Sequence, residues 1–357
     1  MTIVQPLEDG PLSQELSEEE QRRRKMALDK LQPYFVDKPY PLMEAKTIQL
    51  VLLREVLDYT VLRTEETREL NKVTTPLSIS QPQNELRVAF LASKQKAAES
   101  RQMEQMLRTA TKNAGLAYVN RDGKPTLTDK TGKDDKPVDC YLKDNLCLWC
   151  PRCALYGGTT IEEGRGEPRA NIKHRIEYYT AFSLMPFKDI GESITFNALI
   201  DVTQTTGQAL GDRYVVIPAT VFPSIVTLRS VTWREFVLAV KTLLACHSYG
   251  AESRTGGDAR NAIFGMVAGW EEIITPLELT LELYDRRDNL TGEPIKTILE
   301  GYKPLAGNKD KVTIFAPQEV EGLVKEAADV PLDKKLLEES YKDVADYRKV
   351  QLERAKK

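Results

Sequence analysis

An α+β fold is the class this sequence predicts. Strand-like and helical segments fall in separate patches, with no regular strand–helix alternation, which argues against a doubly wound sheet. The centre is rich in strands and holds two main helices, an arrangement that suits a ferredoxin-like core of the RRM type. A cysteine-dense stretch, a basic helical stretch and a small polar stretch break into that core and read as insertions on it.

The elements follow in order. Residues 12–31 read as a polar helix, with Ser17 and Glu20 spaced as a capping box and Glu18–Glu20 ahead of Arg22–Lys25. Those four cations suit a phosphate patch or an ordinary solvated face. Residues 46–63 are rich in Ile, Val, Leu and Tyr, with Ile48, Leu50 and Leu52 at period two, and read as a strand. Leu86–Leu91 is a second strand, and a helix is expected from Ala97 to Asn113. Lys94 and Lys96 precede it, and with Arg101, Arg108 and Lys112 they make the neighbourhood basic. Residues 118–138 are polar and broken by Gly and Pro, as in a loop or hairpin. Glu192–Val202, Tyr214–Ile217 and Ser224–Leu228 read as strands, so the polar stretch at 203–213 is expected to be the tip of a protruding hairpin. Thr232 and Glu235 make a capping box for a helix running to Tyr249 and stopped by Gly250. Cys246 and His247 near its end fit a buried thiol and a dipole partner. Ile263–Ala268 and Leu277–Tyr284 are expected as strands, the second because Leu277, Leu279, Leu281 and Leu283 alternate. The last 26 residues from Leu332 make a charged helix with Leu337, Tyr341, Val344 and Tyr347 on one side. It fits docking on the body or contact with a neighbouring subunit. The resulting division is an N-terminal extension over 1–45, a core over 46–330 and a C-terminal helix over 331–357. Within the core lie a helical insertion (94–117), a metal module (139–170) and the hairpin (203–213).

Four of the five cysteines, Cys140, Cys147, Cys150 and Cys153, fall within fourteen residues. Two C-x-x-C steps place three thiolates on one turn, and Cys140 is near enough in sequence to fold back as the fourth. Four sulfurs suit tetrahedral structural zinc. A thioredoxin-type pair does not need two further cysteines beside it. An iron–sulfur cluster lacks its usual downstream cysteine. His174, one of two histidines, is the alternative fourth ligand, a phosphate contact or a strand-end residue.

The chain has 50 basic and 53 acidic residues and a formal charge of −3, so any nucleic-acid surface has to be a local patch. Clustered thiols fit a reducing compartment. The opening MTIVQPLEDGPLSQEL has neither a basic nor an apolar leader region, and no apolar run approaches a membrane span. A soluble, cytoplasmic protein is expected.

Cys150–Gly157 (CPRCALYG) followed by Lys173–Leu184 (KHRIEYYTAFSL) resembles the Csc family, the backbone subunits of the type I-D CRISPR interference complex (Cascade), which are Cas-seven-type RAMP proteins. The resemblance covers about Lys46 to Gly301 and implies the same RRM-like core. It implies a crRNA-binding unit, many copies of which polymerise as a helical filament along a guide RNA in antiviral defence. Its partners would be the guide, the target DNA strand through the guide, further copies of itself, the large subunit, the cap of the guide's 5′ end and the guide-processing endonuclease. The hairpin would be the thumb that interrupts the guide's base stack, which points to Gln204 and Gln208. A glycine-containing loop would meet RNA phosphates after the second core helix, where Arg254, Thr255 and Gly256 stand. With Lys94, Lys96, Lys173 and Arg175 these residues form the expected RNA surface.

An ordinary RRM aromatic signature is missing, so backbone contacts are expected rather than base stacking on the sheet. The rival class is an RNA-cutting subunit, since related type III subunits cut target with a loop aspartate. Asp122, Asp201 and Asp258 are the loop carboxylates here, and none has the ligand cluster that metal-dependent hydrolysis wants. No catalytic residue is therefore expected. A zinc-stabilised scaffold without nucleic acid is the third option.

Overall fold

The computed structural model describes residues 18–63, 69–121, 123–141, 146–159, 171–200, 205–250 and 258–355, and the side chains of 195–212 lie outside the description. The first elements are α1 (Glu18–Leu31), β1 (Thr47–Val56), β2 (Lys72–Pro76), β3 (Asn84–Phe90) and α2 (Ala92–Asn113). A small sheet follows, β4 (Ala117–Arg121), β5 (Lys124–Thr128) and β6 (Lys136–Pro137), and then the short α3 (Pro151–Tyr156). Next come β7 (Ile176–Tyr178), β8 (Ala181–Phe182), α4 (Phe187–Ile190), β9 (Gly191–Ile200), β10 (Thr205–Val216), β11 (Val221–Arg229) and α5 (Trp233–Ala245). The rest is β12 (Ala259–Gly269), α6 (Pro276–Tyr284), α7 (Gly292–Tyr302), β13 (Thr313–Ile314), α8 (Pro317–Asp329) and α9 (Lys334–Ala355). Helix and sheet are mixed without alternation, as the α+β expectation required.

The main sheet has the order β13-β12-β1-β11-β7, with antiparallel neighbours throughout. Every residue of central β1 is buried because both faces are covered. Ile48, Leu50 and Leu52 pack with Phe236, Val237 and Val240 of α5 and with Met103 and Leu107 of α2. Val51 and Leu53 point the other way, onto Leu279 and Leu283 of α6 and Ile295 and Leu299 of α7. Gln49, on that second face, satisfies its amide on Ile274 O at 3.0 Å and Ile273 N at 2.9 Å. The sheet face that α6 and α7 cover therefore offers no open platform to a base.

Several sequence expectations are corrected. Leu277–Tyr284 is helix α6, not a strand. Thr275 and Glu278 cap it reciprocally, Pro276 sits in its first turn, and Leu279 and Leu283 meet the core at a helical i, i+4 spacing. The first strand stops at Val56. Helix α2 begins at Ala92, so Lys94 and Lys96 lie inside its first turns. Helix α5 has the expected Thr232/Glu235 box but ends at Ala245, before Gly250. Residues after Tyr284, read as loose, contain α7 and α8, and α8 packs on α1 through Lys30–Glu319 and Arg24–Asp329 ion pairs. The hairpin arms run Gly191–Ile200 and Thr205–Val216, a two-stranded ribbon outside the main sheet, so most of 203–213 is strand rather than tip. Ser17, of the first capping box, lies outside the described residues.

Helix α9 docks on the body, with Leu337, Tyr341, Val344 and Tyr347 all buried. It is held by Arg234 on Asp343 at 2.6 Å and Lys334 on Asp129 at 2.9 Å. Among the described residues no helix is long and apolar enough to cross a membrane.

Candidate metal centre and nucleic-acid face

The four clustered cysteines meet. Cys140 follows the β4–β5–β6 sheet, Cys147 and Cys150 flank a tight turn, and Cys153 stands in the first turn of α3 behind Pro151. Leu148, between them, takes a left-handed φ of 59°, a costly conformation for a branched side chain that the turn imposes. All four sulfurs lie within 4.8 Å of one another. Cys140 Sγ is 3.5 Å from Cys153 Sγ and 3.7 Å from Cys150 Sγ, and Cys147 Sγ is 4.0 Å from Cys153 Sγ. Disulfides would be near 2.05 Å. Tetrahedral Zn–S bonds of about 2.3 Å place sulfurs about 3.8 Å apart, so the spacing fits a metal held by four thiolates.

The surroundings favour thiolates. The Tyr118 hydroxyl donates to Cys147 Sγ at 3.2 Å, the Trp149 N–H donates to the same sulfur at 3.4 Å, and the Cys147 N–H reaches Cys140 Sγ at 3.5 Å. Arg152 is buried, anchored on Ser100 at 2.7 Å and Gly157 O at 3.2 Å, with Nη1 3.9 Å from Cys153 Sγ. The proton is shared unevenly among thiols this close. Hydrogen bonds from Cys140, Cys150 and Cys153 hold Cys147 far below the ordinary thiol range, while contacts with Cys147 and Cys153 push Cys140 up and contacts with Cys140, Cys147 and Cys153 push Cys150 up. A divalent cation is the group that would let all four ionise.

His174 is not part of this cluster; Cys140 is the fourth sulfur. The cysteines also belong to the main core, sharing one apolar cluster with β1, α2 and α5. The module is therefore no appendage. Gly157, just past α3, has φ +80°, and a Cβ there would come within 2.9 Å of His174 N and Ile172 O. That close approach joins α3 to the segment carrying Lys173 and His174.

The expected RNA residues divide. Lys96 and His174 line one open cleft of about 280 Å³ together with Ser93, Glu177, Tyr178 and Tyr179. Lys173 is exposed beside it. Burial lowers the pKa of Lys96, helped by the Arg152 charge and opposed by Glu177. Burial also lowers that of His174, helped by Lys96 and Lys173. Lys94 lies two residues before Lys96 on a helix whose N-cap, Leu91, offers no side-chain cap and whose first turn has no acidic residue. Cations at the positive end of a helix dipole are unfavourable unless an anion joins them. A buried network holds α2 against this cleft. Arg54 Nη1 donates to Glu99 at 2.6 Å and to Asn261 at 2.7 Å, and the hydroxyls of Tyr178 and Tyr249 also donate to Glu99.

Arg175 is elsewhere. It is 1% exposed, its guanidinium pairs with both oxygens of Glu235, and it also donates to the Ala154 and Ser230 carbonyls. Arg175 is thus an interior clasp between α3, β11 and α5, unavailable to RNA. Gln204, Arg254, Thr255 and Gly256 lie outside the described residues, as do Asp122 and Asp201. Gln208 is placed in β10 without its side chain. Asp258 is exposed and bridges to Ser248. The α1 cations do not form one patch: Arg24 is buried on Asp329, and Arg23 pairs with Glu19. Sequence reasoning missed Ser93, Tyr118, Tyr179 and Arg152, whose roles arise only from contacts distant in the chain.

A family model described as Csc2 Crispr matches residues 30–341. The chain belongs to the Csc2 CRISPR family. This is the family that the cysteine turn and the Lys173–Leu184 segment had suggested, and the match extends past both ends of the resemblance. The crystal structure of Thermofilum pendens Csc2 matches with a TM-score of 0.61 at 21% identity, over 92% of this chain and 97% of that one, a likeness of fold. A chain titled CRISPR RNA-guided surveillance complex aligns over 78% of this chain and 99% of its own at 11% identity and TM-score 0.44. A chain of a type IV-B CRISPR complex aligns over 60% and 90% at 13% identity and TM-score 0.39. The last two are too distant to carry an argument. No curated protein matches the sequence.

Proposed function

We propose that this protein is a non-catalytic, guide-RNA-binding backbone subunit of a type I-D CRISPR interference complex. Copies of it would polymerise along the guide and present it to the target DNA strand. Its other partners would be the large subunit, the cap of the guide's 5′ end and the guide-processing endonuclease. The observation that carries the reading is the cleft where Lys96, His174 and the neighbouring Lys173 meet the uncapped start of α2. A chain with net charge −3 that concentrates cations and helix N–H groups at one cleft is arranged for a phosphate backbone.

Supporting features take the rest of the surface. The strand order β12-β1-β11-β7, with α2 and α5 together on one face, supports a ferredoxin-like core. The β9–β10 ribbon would be the thumb, with Gln204 and Gln208 as its expected RNA contacts, and Arg254, Thr255 and Gly256 would be further phosphate contacts. Because α6 and α7 bury the sheet's second face, contact falls on backbone and shape, and base pairing with the guide supplies specificity. The metal at the four cysteines would be structural zinc, and a reducing cytoplasm suits its thiolates.

The test is to isolate the protein, compare absorbance at 260 and 280 nm, and titrate it onto RNAs of increasing length. Co-isolated RNA and a copy number that grows with length support the reading. A single copy per RNA whatever its length, or cleavage of a paired target abolished by changing one aspartate, sinks it.

A further inference from the structure

We propose that helix α9 is the outer wall of the metal centre and that Tyr118 is the positioning residue through which it acts, an inference that rests on the cysteine cluster holding a metal. Cys147 is the one ligand of the four that is not fully buried, and it stands on a turn whose backbone is strained at Leu148. Its sulfur therefore depends on outside donors for its place. Two are at hand. The Tyr118 hydroxyl lies 3.2 Å away, and the Trp149 N–H lies 3.4 Å away.

Helix α9 holds both donor residues from outside. Tyr341 packs edge-on against the Tyr118 ring, with centroids 5.0 Å apart and planes at 65°. The Arg348 guanidinium lies over the Trp149 ring, 5.6 Å from its centroid. Tyr341 and Arg348 are two turns apart on the same helix, and both are buried. One rigid element thus packs on the side chains of both residues that orient the least enclosed sulfur, Tyr118 through its hydroxyl and Trp149 through its backbone N–H. Donors of this kind fix a ligand's orientation and moderate its charge, so losing one weakens metal binding. Because the contact is mutual, the metal must hold α9 as firmly as α9 holds the metal.

The test uses the full chain and zinc itself, competed against a chromophoric chelator. Tyr118→Phe keeps the ring and its packing on Tyr341 and removes only the hydroxyl. Its zinc affinity is expected to fall about 10- to 100-fold, with an unchanged far-ultraviolet circular dichroism spectrum at saturating zinc. In the wild type, stripping the zinc should speed amide hydrogen exchange across Tyr341–Arg348 by a larger factor than across α6 and α7. Equal zinc affinity in Tyr118→Phe, or exchange in α9 indifferent to zinc, overturns the proposal while leaving the metal reading intact. A wild type that takes up no zinc overturns the metal reading and this proposal together.

Discussion

Arg175 and Glu235 form a bidentate ion pair in the interior, joining the segment after the cysteine module to the first turn of α5. Glu235 also accepts from the Thr232 N–H, so one carboxylate caps the helix and anchors the arginine. Removing one partner strands a buried charge. Arg175→Ala is expected to cost about 3–5 kcal/mol of stability, read by urea denaturation. RNA affinity of the folded fraction should be unchanged. Lost affinity at full stability would return Arg175 to the groove.

The metal prediction follows from where the cysteines sit. Elemental analysis should find about one zinc per chain, given a closed four-sulfur site. Spacing alone suggests a module that loosens by itself on metal loss. Cys140, Cys150 and Cys153 instead share the main apolar cluster with β1 and α5. Chelation or Cys153→Ser should therefore lower the melting temperature of the whole domain in one transition. Two separated transitions would restore the independent module, and iron in place of zinc would overturn the assignment.

At the cleft, Lys96→Ala and Lys173→Ala should each weaken RNA binding equally for all sequences and reduce the salt slope by about one. Filter binding at several salt concentrations reads both. Sequence-dependent losses would point to base contacts instead.

The pH dependence has a defined sign. Burial first, and then the charges of Lys96 and Lys173, lower His174 from its ordinary 6.5. The unfolded chain therefore takes the proton first, and the free protein should lose stability as pH falls from 6.5 through the lower folded value. A bound phosphate opposes that shift by favouring imidazolium. RNA affinity should then rise as pH drops from about 8 to about 5.5, and His174→Ala should flatten the curve. A flat wild-type curve would remove His174 from the contact.

Gly157→Ala tests the joint between the metal turn and the cleft. Its φ of +80° and the 2.9 Å approach to His174 N and Ile172 O leave no room for a methyl group. A loss of about 1–3 kcal/mol is expected by thermal melting, with a parallel loss of RNA affinity. A neutral substitution would mean that the joint bears no strain.

What the sequence determined by itself was what short-range chemistry encodes. Cys140, Cys147, Cys150 and Cys153 lie close enough in the chain for spacing alone to predict their meeting, and Thr232 with Glu235 announces a helix start through neighbours three residues apart. The family was legible for the same reason, since contiguous stretches carry it. Tertiary structure decided the rest. Leu277–Leu283 alternates like a strand, yet its Thr275/Glu278 cap and the apolar floor of β1 and β11 make it a helix. Lys173 and Arg175 look alike in sequence and stand two residues apart. One is exposed beside the cleft and the other is buried on Glu235, sixty residues away in the chain. Residue type states what a side chain can do; burial and a distant partner settle whether it meets solvent, a metal or another residue.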